Sequence, residues 1–95
     1  MNVISYKRIR QFSSVHRVAE IPLRAWFTTA KKAKWLNLAE LKQVYLSADL
    51  VSRYPVFNIG GNKYRLIVRI VYRSQTVLIV AVMTHEEYDL GKWKE

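Results

Sequence analysis

The chain has 95 residues, of which 16 are lysine or arginine and seven are aspartate or glutamate, and its formal net charge of +9 favours nucleic acid or an anionic membrane surface as partner. This length predicts one domain over residues 1–95, and the 51% of hydrophobic residues exclude a disordered basic tail. The absence of cysteine excludes disulfides and thiolate sites, and the lack of a signal peptide or of an apolar run of about 18 residues predicts a cytoplasmic protein.

The first half of the chain predicts a short strand followed by three helices. Residues 2–5 form the strand, and residues 6–16 form a basic helix. Residues 22–35 form the second helix, because proline suits the first helical position. Asn37 and Glu40 are a capping-box-like pair that opens the third. The side chains predicted to face the core recur at helical spacing: Tyr6, Ile9 and Phe12, then Leu23, Trp26, Phe27 and Ala30, then Leu38, Leu41, Val44 and Tyr45.

The second half predicts strands, because the apolar period changes to two from Pro55 onward, after a connection over residues 47–54. Gly60 and Gly61 predict a two-residue hairpin turn that sets Phe57 opposite Tyr64 and Asn58 opposite Lys63. Residues 76–83 lack alternation and are rich in β-branched side chains, which is typical of a central strand covered on both faces. The predicted fold is therefore α+β, with N-terminal helices packed on one face of a small antiparallel sheet.

The strand over residues 62–73 has two chemically different faces, because side chains alternate along a strand. Apart from Ile67 and Val71, one face is cationic and the other is apolar. The cationic residues are Lys63, Arg65, Arg69 and Arg73; the apolar ones are Tyr64, Leu66, Val68, Ile70 and Tyr72. An open cationic face suits a polyanion. On charge alone, however, a solvated surface or a non-catalytic RNA- or DNA-binding module explains the pattern equally well.

Longer motifs narrow the choice. The stretches FNIGGNKYRLIVRI, SAD, LRAWF, KKAKW and THEEYD together resemble HigB-type toxins of bacterial toxin-antitoxin modules, within the RelE-like superfamily. The resemblance covers nearly the whole chain. It implies an mRNA endonuclease that acts on the ribosome without metal or other cofactor and thereby arrests translation and growth. It also implies neutralisation by a HigA-type antitoxin with a helix-turn-helix fold.

Metal-free RNA cleavage needs a base for a 2′-hydroxyl, positive charge at the phosphorane and a proton for the departing 5′-oxygen. We expect Arg65 and Arg69 at the scissile phosphate, because guanidinium groups engage two phosphate oxygens and stay charged. Other cations are expected to bind RNA along the strand and the second helix: Lys63, Arg73, Lys31 and Lys34. A membrane-surface role for the helical lysines is disfavoured, because the opposite face of that helix must cover the sheet.

His85 and Tyr88 are the candidates for proton transfer, and the resemblance implies functional His or Tyr residues in this region. Tyr88 can act as a base only if neighbouring cations lower its pKa. The face on which His85 lies depends on the preceding turn: a two-residue turn pairs Arg65 with Thr84, whereas a three-residue turn moves His85 to the cationic side. His16 is interpreted as structural. The acidic residues around His85 are interpreted as a polar turn rather than as metal ligands: Glu86, Glu87 and Asp89.

Overall fold

The computed structural model describes residues 1–94, which form four α-helices and one five-stranded sheet. The elements in chain order are β1 (Asn2–Ile4), α1 (Tyr6–Val15), α2 (Glu20–Lys32), α3 (Leu38–Val44), β2 (Asp49–Val51), β3 (Tyr54–Ile59), β4 (Tyr64–Val71), β5 (Thr76–Thr84) and α4 (His85–Asp89). Single 3-10 turns, Arg17–Ala19 and Lys92–Lys94, precede α2 and follow α4. No helix within residues 1–94 is long and apolar enough to span a bilayer.

The strand order is β1-β5-β4-β3-β2, and β4 is the central strand. All neighbours pair antiparallel except β1, which runs parallel to β5. The predicted α+β fold is confirmed, but the antiparallel sheet is wrong at this edge. The helical segments between β1 and the other strands form the long connection that a parallel pair requires, which strand patterns do not reveal.

The predicted helices are confirmed with shifted ends. Helix α2 begins at Glu20, two residues before Pro22, because the first turn of a helix needs no intrahelical N–H donor and so tolerates proline. It ends at Lys32, and Trp35 lies outside it yet is buried. The Asn37 side chain accepts from the Glu40 N–H at 2.9 Å, which confirms the cap of α3.

Two expectations about the segment from α3 to β3 are wrong. Val44 is 54% exposed rather than in the core. The connection predicted over residues 47–54 contains strand β2, which pairs with β3 through a tight turn at Ser52 and Arg53. Three residues are too few to show a period of two, and the turn requires a positive φ of 59° at Ser52, where glycine is the usual signal.

The hairpin between β3 and β4 exists, but its predicted register is wrong by two residues. Phe57 pairs with Leu66 and Asn58 with Arg65, because four residues rather than two form the loop. Gly60 and Gly61 both have positive φ, as a tight loop requires. A shift of two preserves the side-chain faces, so the division of β4 into two faces survives the error.

The core lies between the helices and one face of the sheet. The helices contribute Ile9, Leu23, Trp26, Ala30 and Leu41, and the strands contribute Phe57, Ile59, Tyr64, Leu66, Val68, Val77 and Ile79. All five residues predicted for the apolar face of the strand over residues 62–73 lie in this core or pack against it. The opposite face of the sheet is open only in part, since Arg65 and Ile67 are buried while Arg69 and Val71 are exposed.

Candidate active site

The register of β4 against β5 brings His85 to the Arg65 side of the sheet. The turn between the strands has four residues, and a bulge leaves Val80 without a partner between Ile79 and Ala81. Together they pair Arg65 with Met83. His85 is therefore aligned with Lys63, and its N–H donates to the Lys63 carbonyl at 2.9 Å. Of the two arrangements left open by the sequence, the one with His85 on the cationic side is present, although a bulge produces it.

The Arg65 guanidinium is held by four neutral acceptors. Nη1 donates to the carbonyl oxygens of Asn62 and Tyr64, each at 3.2 Å. Nη2 donates to Asn62 Oδ1 at 2.6 Å and to His85 Nδ1 at 2.8 Å. Arg65 is only 7% exposed, and it forms no ion pair with a carboxylate of residues 1–94. A nearly buried positive charge without an anion is unusual, because desolvation disfavours it.

Arg65 also fixes the tautomer of His85. A guanidinium only donates, so Nδ1 must accept with its lone pair, and the ring proton lies on Nε2. Nε2 is 3.1 Å from Asp89 Oδ2, one helical turn further along α4, and donates to it. In this state both ring nitrogens of His85 are occupied.

Helix α4 positions these groups, and two reciprocal hydrogen bonds at its N-terminus stabilise its first turn. Thr84 Oγ1 accepts from the Glu87 N–H at 3.2 Å, and Glu87 Oε1 accepts from the Thr84 N–H at 3.0 Å. This capping box makes a five-residue helix out of the segment interpreted as a polar turn. Its spacing puts His85 and Tyr88 on neighbouring positions, three residues apart, above Arg65.

Tyr88 lies against Arg65, whose Cζ is 5.4 Å from the centre of the phenol ring. Burial raises the pKa of Tyr88 above its usual 10.0; the Arg65 charge opposes this increase, and Asp49 and Asp89 add to it. The condition for Tyr88 to act as a base, a lowered pKa, is not met here. A phenol that stays protonated is instead suited to donating a proton.

The remaining predicted site residues do not join this cluster. Arg69 is exposed and pairs with Leu78, four residues and roughly 13 Å along β4 from Arg65. Lys63 and Arg73 lie just beyond opposite ends of β4, and only Lys63 borders His85. The exposed Lys31 and Lys34 belong to the helical layer, on the other side of the sheet from Arg65.

Several residues that sequence analysis assigned to other roles border the cluster. Asp89 was interpreted as part of a polar turn and His16 as structural, and Asn62 was not predicted to belong to the site. A cleft of about 440 Å³ beside His85 is also lined by Asn62, Lys63 and His16, so the chain's two histidines share it. The Thr84-x-x-Glu87 spacing is a sequence signal that identifies α4. No group of three or more His, Asp or Glu within residues 1–94 is arranged to hold a metal ion.

The family model of the HigB toxins, described as the RelE-like toxic component of a toxin-antitoxin system, matches residues 19–91. The chain belongs to the HigB toxin family. The mRNA interferase toxin HigB of Escherichia coli (strain K12) is 32% identical over 92 residues, which cover 94% of this chain and 88% of that protein. Proteins named mRNA interferase HigB from Escherichia coli O157:H7 and Shigella flexneri match with the same identity and coverage.

Membership of the HigB family confirms the resemblance that the sequence motifs indicated, and it implies an antitoxin partner. The matched segment contains the whole cluster, from Asn62 to Asp89. It begins at residue 19 and so leaves out α1, and it ends two residues before Trp93.

Proposed function

We propose that this HigB-family toxin is a metal-independent endoribonuclease that cuts mRNA on translating ribosomes. The observation that carries the proposal is the contact between His85 and a nearly buried Arg65, which forms no ion pair within residues 1–94. The names of the E. coli and Shigella relatives, mRNA interferases, support the same reaction.

Arg65 is suited to bind a phosphate of the RNA. Its guanidinium is held in one orientation by neutral groups, and none of them compensates its charge. A phosphate oxygen replaces a neutral acceptor with a charge-assisted hydrogen bond, which is roughly twice as strong. Bound there, the guanidinium stabilises the negative charge that develops on the phosphorane.

Phosphate binding also releases the base. When Arg65 Nη2 turns from His85 Nδ1 to a phosphate oxygen, the Nδ1 lone pair becomes free to accept the proton of the 2′-hydroxyl. Asp89 continues to hold Nε2–H and so keeps the ring in place. Substrate binding and activation of His85 are thus coupled through one guanidinium.

The reaction then balances with the residues present. The 2′-oxygen attacks phosphorus and its proton passes to His85 Nδ1, while the bond from phosphorus to the 5′-oxygen breaks. Tyr88 donates its phenolic proton to that oxygen, and the raised pKa keeps the phenol protonated until then. The products are a 2′,3′-cyclic phosphate and a 5′-hydroxyl, and solvent exchange restores both side chains.

The remaining cations bind RNA away from the cut. Arg69 and Arg73 extend along β4 in one direction and Lys63 in the other, so they suit the flanking backbone. Lys31 and Lys34 contact RNA on the helical side of the molecule. We place the toxin in the cytoplasm, where translating ribosomes are found, and we infer a HigA-type helix-turn-helix antitoxin as its inhibitor.

Purified toxin with mRNA, in the presence and absence of translating ribosomes, tests the proposal. We expect cleavage on ribosomes and little on free mRNA, and we expect Tyr88→Phe and Arg69→Ala to cut more slowly and to arrest growth less. Intact mRNA on ribosomes, together with growth arrest by both variants at the wild-type level, would instead indicate a toxin that acts by binding alone.

A further inference from the structure

Trp93 differs from the other two tryptophans of the chain. Trp26 and Trp35 are buried in the core, whereas Trp93 is half-exposed and lies in the 3-10 turn after α4. Its indole stacks on Tyr88, with ring centres 5.3 Å apart and planes inclined by 17°. The Tyr54 ring meets it edge-on at 6.3 Å. Trp93 therefore continues the stack in which the Tyr88 ring lies on Arg65, and its ring is partly exposed to solvent.

The indole N–H of Trp93, like that of Trp26, is buried and has no acceptor within residues 1–94. A buried donor without a partner is unfavourable, so this packing leaves a hydrogen bond to be made.

Cations are interleaved with these rings. Arg65 lies 5.4 Å from the Tyr88 ring centre, and the Lys94 ammonium lies 5.8 Å from that of Trp93. Lys92, the residue that precedes Trp93 in the chain, is exposed. Aromatic rings alternating with cations are the pattern by which proteins bind single-stranded nucleic acid, with bases on the rings and phosphates on the cations.

We propose that Trp93 stacks on a nucleobase of the bound RNA, next to the phosphate held by Arg65, with Lys92 and Lys94 on flanking phosphates. This inference rests on the proposed function, because it extends the same RNA site by one base. The stack discriminates little between bases, since every base presents a π-face.

The experiment measures equilibrium binding of a short RNA with 2′-O-methyl groups, which block cleavage, to wild type, Trp93→Ala and Trp93→Phe. Stacking predicts that Trp93→Ala weakens binding by about tenfold or more, while Trp93→Phe, which keeps a ring, changes it much less. An abasic nucleotide at one position of the RNA should weaken wild-type binding by a similar factor and Trp93→Ala binding by nothing further.

The inference is overturned if wild type shows no measurable binding, if Trp93→Ala binds as well as or better than wild type, or if the abasic RNA loses equally with both proteins. Thermal melts identify a variant that has lost its fold, and if Trp93→Ala has done so, Trp93→Leu, which keeps an apolar side chain without a ring, takes its place: stacking predicts the same loss of binding, and binding at the wild-type level overturns the inference. Binding that depends on Trp93 without any mRNA cleavage on ribosomes contradicts the proposed function alone. Normal cleavage with binding unaffected by Trp93→Ala contradicts this inference alone.

Discussion

Replacing Arg65 with methionine separates binding of a phosphate from support of the fold. Methionine keeps an unbranched side chain, shorter than that of arginine, and has neither charge nor donors. The substitution removes four hydrogen bonds. Three of their acceptors, on Asn62 and His85, are only partly buried, so water replaces the guanidinium there. The Tyr64 carbonyl, whose bond is buried, loses its side-chain donor.

The expected change in unfolding free energy is small. Losing the buried, charge-assisted hydrogen bond to the Tyr64 carbonyl costs about 1.5–3 kcal/mol. Removing a desolvated cation that forms no ion pair gains back several kcal/mol, because its burial was itself unfavourable. We therefore expect Arg65→Met to unfold within about 2 kcal/mol of wild type. Cleavage should fall by about 100- to 1,000-fold, the usual effect of removing a preorganised donor from a developing anion.

Urea unfolding and mRNA cleavage on translating ribosomes measure the two quantities side by side. Arg69→Met is the matched control: Arg69 is exposed on the same strand, so we expect a stability change within about 0.5 kcal/mol and a smaller loss of cleavage. Two results refute the reasoning. Near-wild-type cleavage by folded Arg65→Met excludes Arg65 from the phosphate, and destabilisation by more than about 4 kcal/mol makes the guanidinium a structural group.

Three further predictions concern the orientation of His85, the cap of α4 and the core residue Tyr45. Asp89→Ala should slow cleavage by about five- to tenfold, because it removes one hydrogen bond to His85. Asp89→Asn keeps an acceptor for that bond and should cleave at nearly the wild-type rate. Equal cleavage rates for the two variants would contradict the positioning role of Asp89. Thr84→Ala should lower the unfolding free energy by about 1 kcal/mol, because it removes the cap that Thr84 forms with Glu87. Urea unfolding of Thr84→Ala and Thr84→Ser tests this, since serine keeps the hydroxyl. An equal loss of unfolding free energy in both variants would exclude the cap as the cause. Burial raises the pKa of Tyr45 above 10.0, so its contribution to stability is full below pH 10.0 and is lost as the pH rises through the folded-state pKa. Tyr45→Phe should therefore lose less melting temperature than wild type between about pH 8 and about pH 11, and equal losses would show that this phenol does not contribute.

Most of the correct fold prediction came from the spacing at which apolar side chains recur along the helices and strands. The two-faced pattern of β4 correctly placed Leu66 and Val68 in the core, and a register error of two residues left the faces intact. The parallel pairing of β1 and the short strand β2 were missed. Both depend on long-range packing or on segments of three residues, which carry no periodic signal.

The candidate site was predictable in composition but not in geometry. Arg65, His85 and Tyr88 were selected from residue type and resemblance, and the structure brings them together. Their convergence requires the bulge at Val80. No residue type in β5 predicts this bulge, because bulges depend on the pairing of two strands rather than on local propensity. Arg69 was expected beside Arg65, yet its spacing of four along an extended strand separates the two by roughly 13 Å.

The chemical ends of the RNA product test the central claim most directly. Mass spectrometry of mRNA cut by wild type on translating ribosomes should find a 2′,3′-cyclic phosphate, or the 3′-phosphate formed from it, on one fragment and a 5′-hydroxyl on the other. A 2′-deoxynucleotide at the cut position should abolish cleavage there. A 3′-hydroxyl paired with a 5′-phosphate, or normal cutting at the 2′-deoxy position, would contradict attack by a 2′-oxygen that His85 activates.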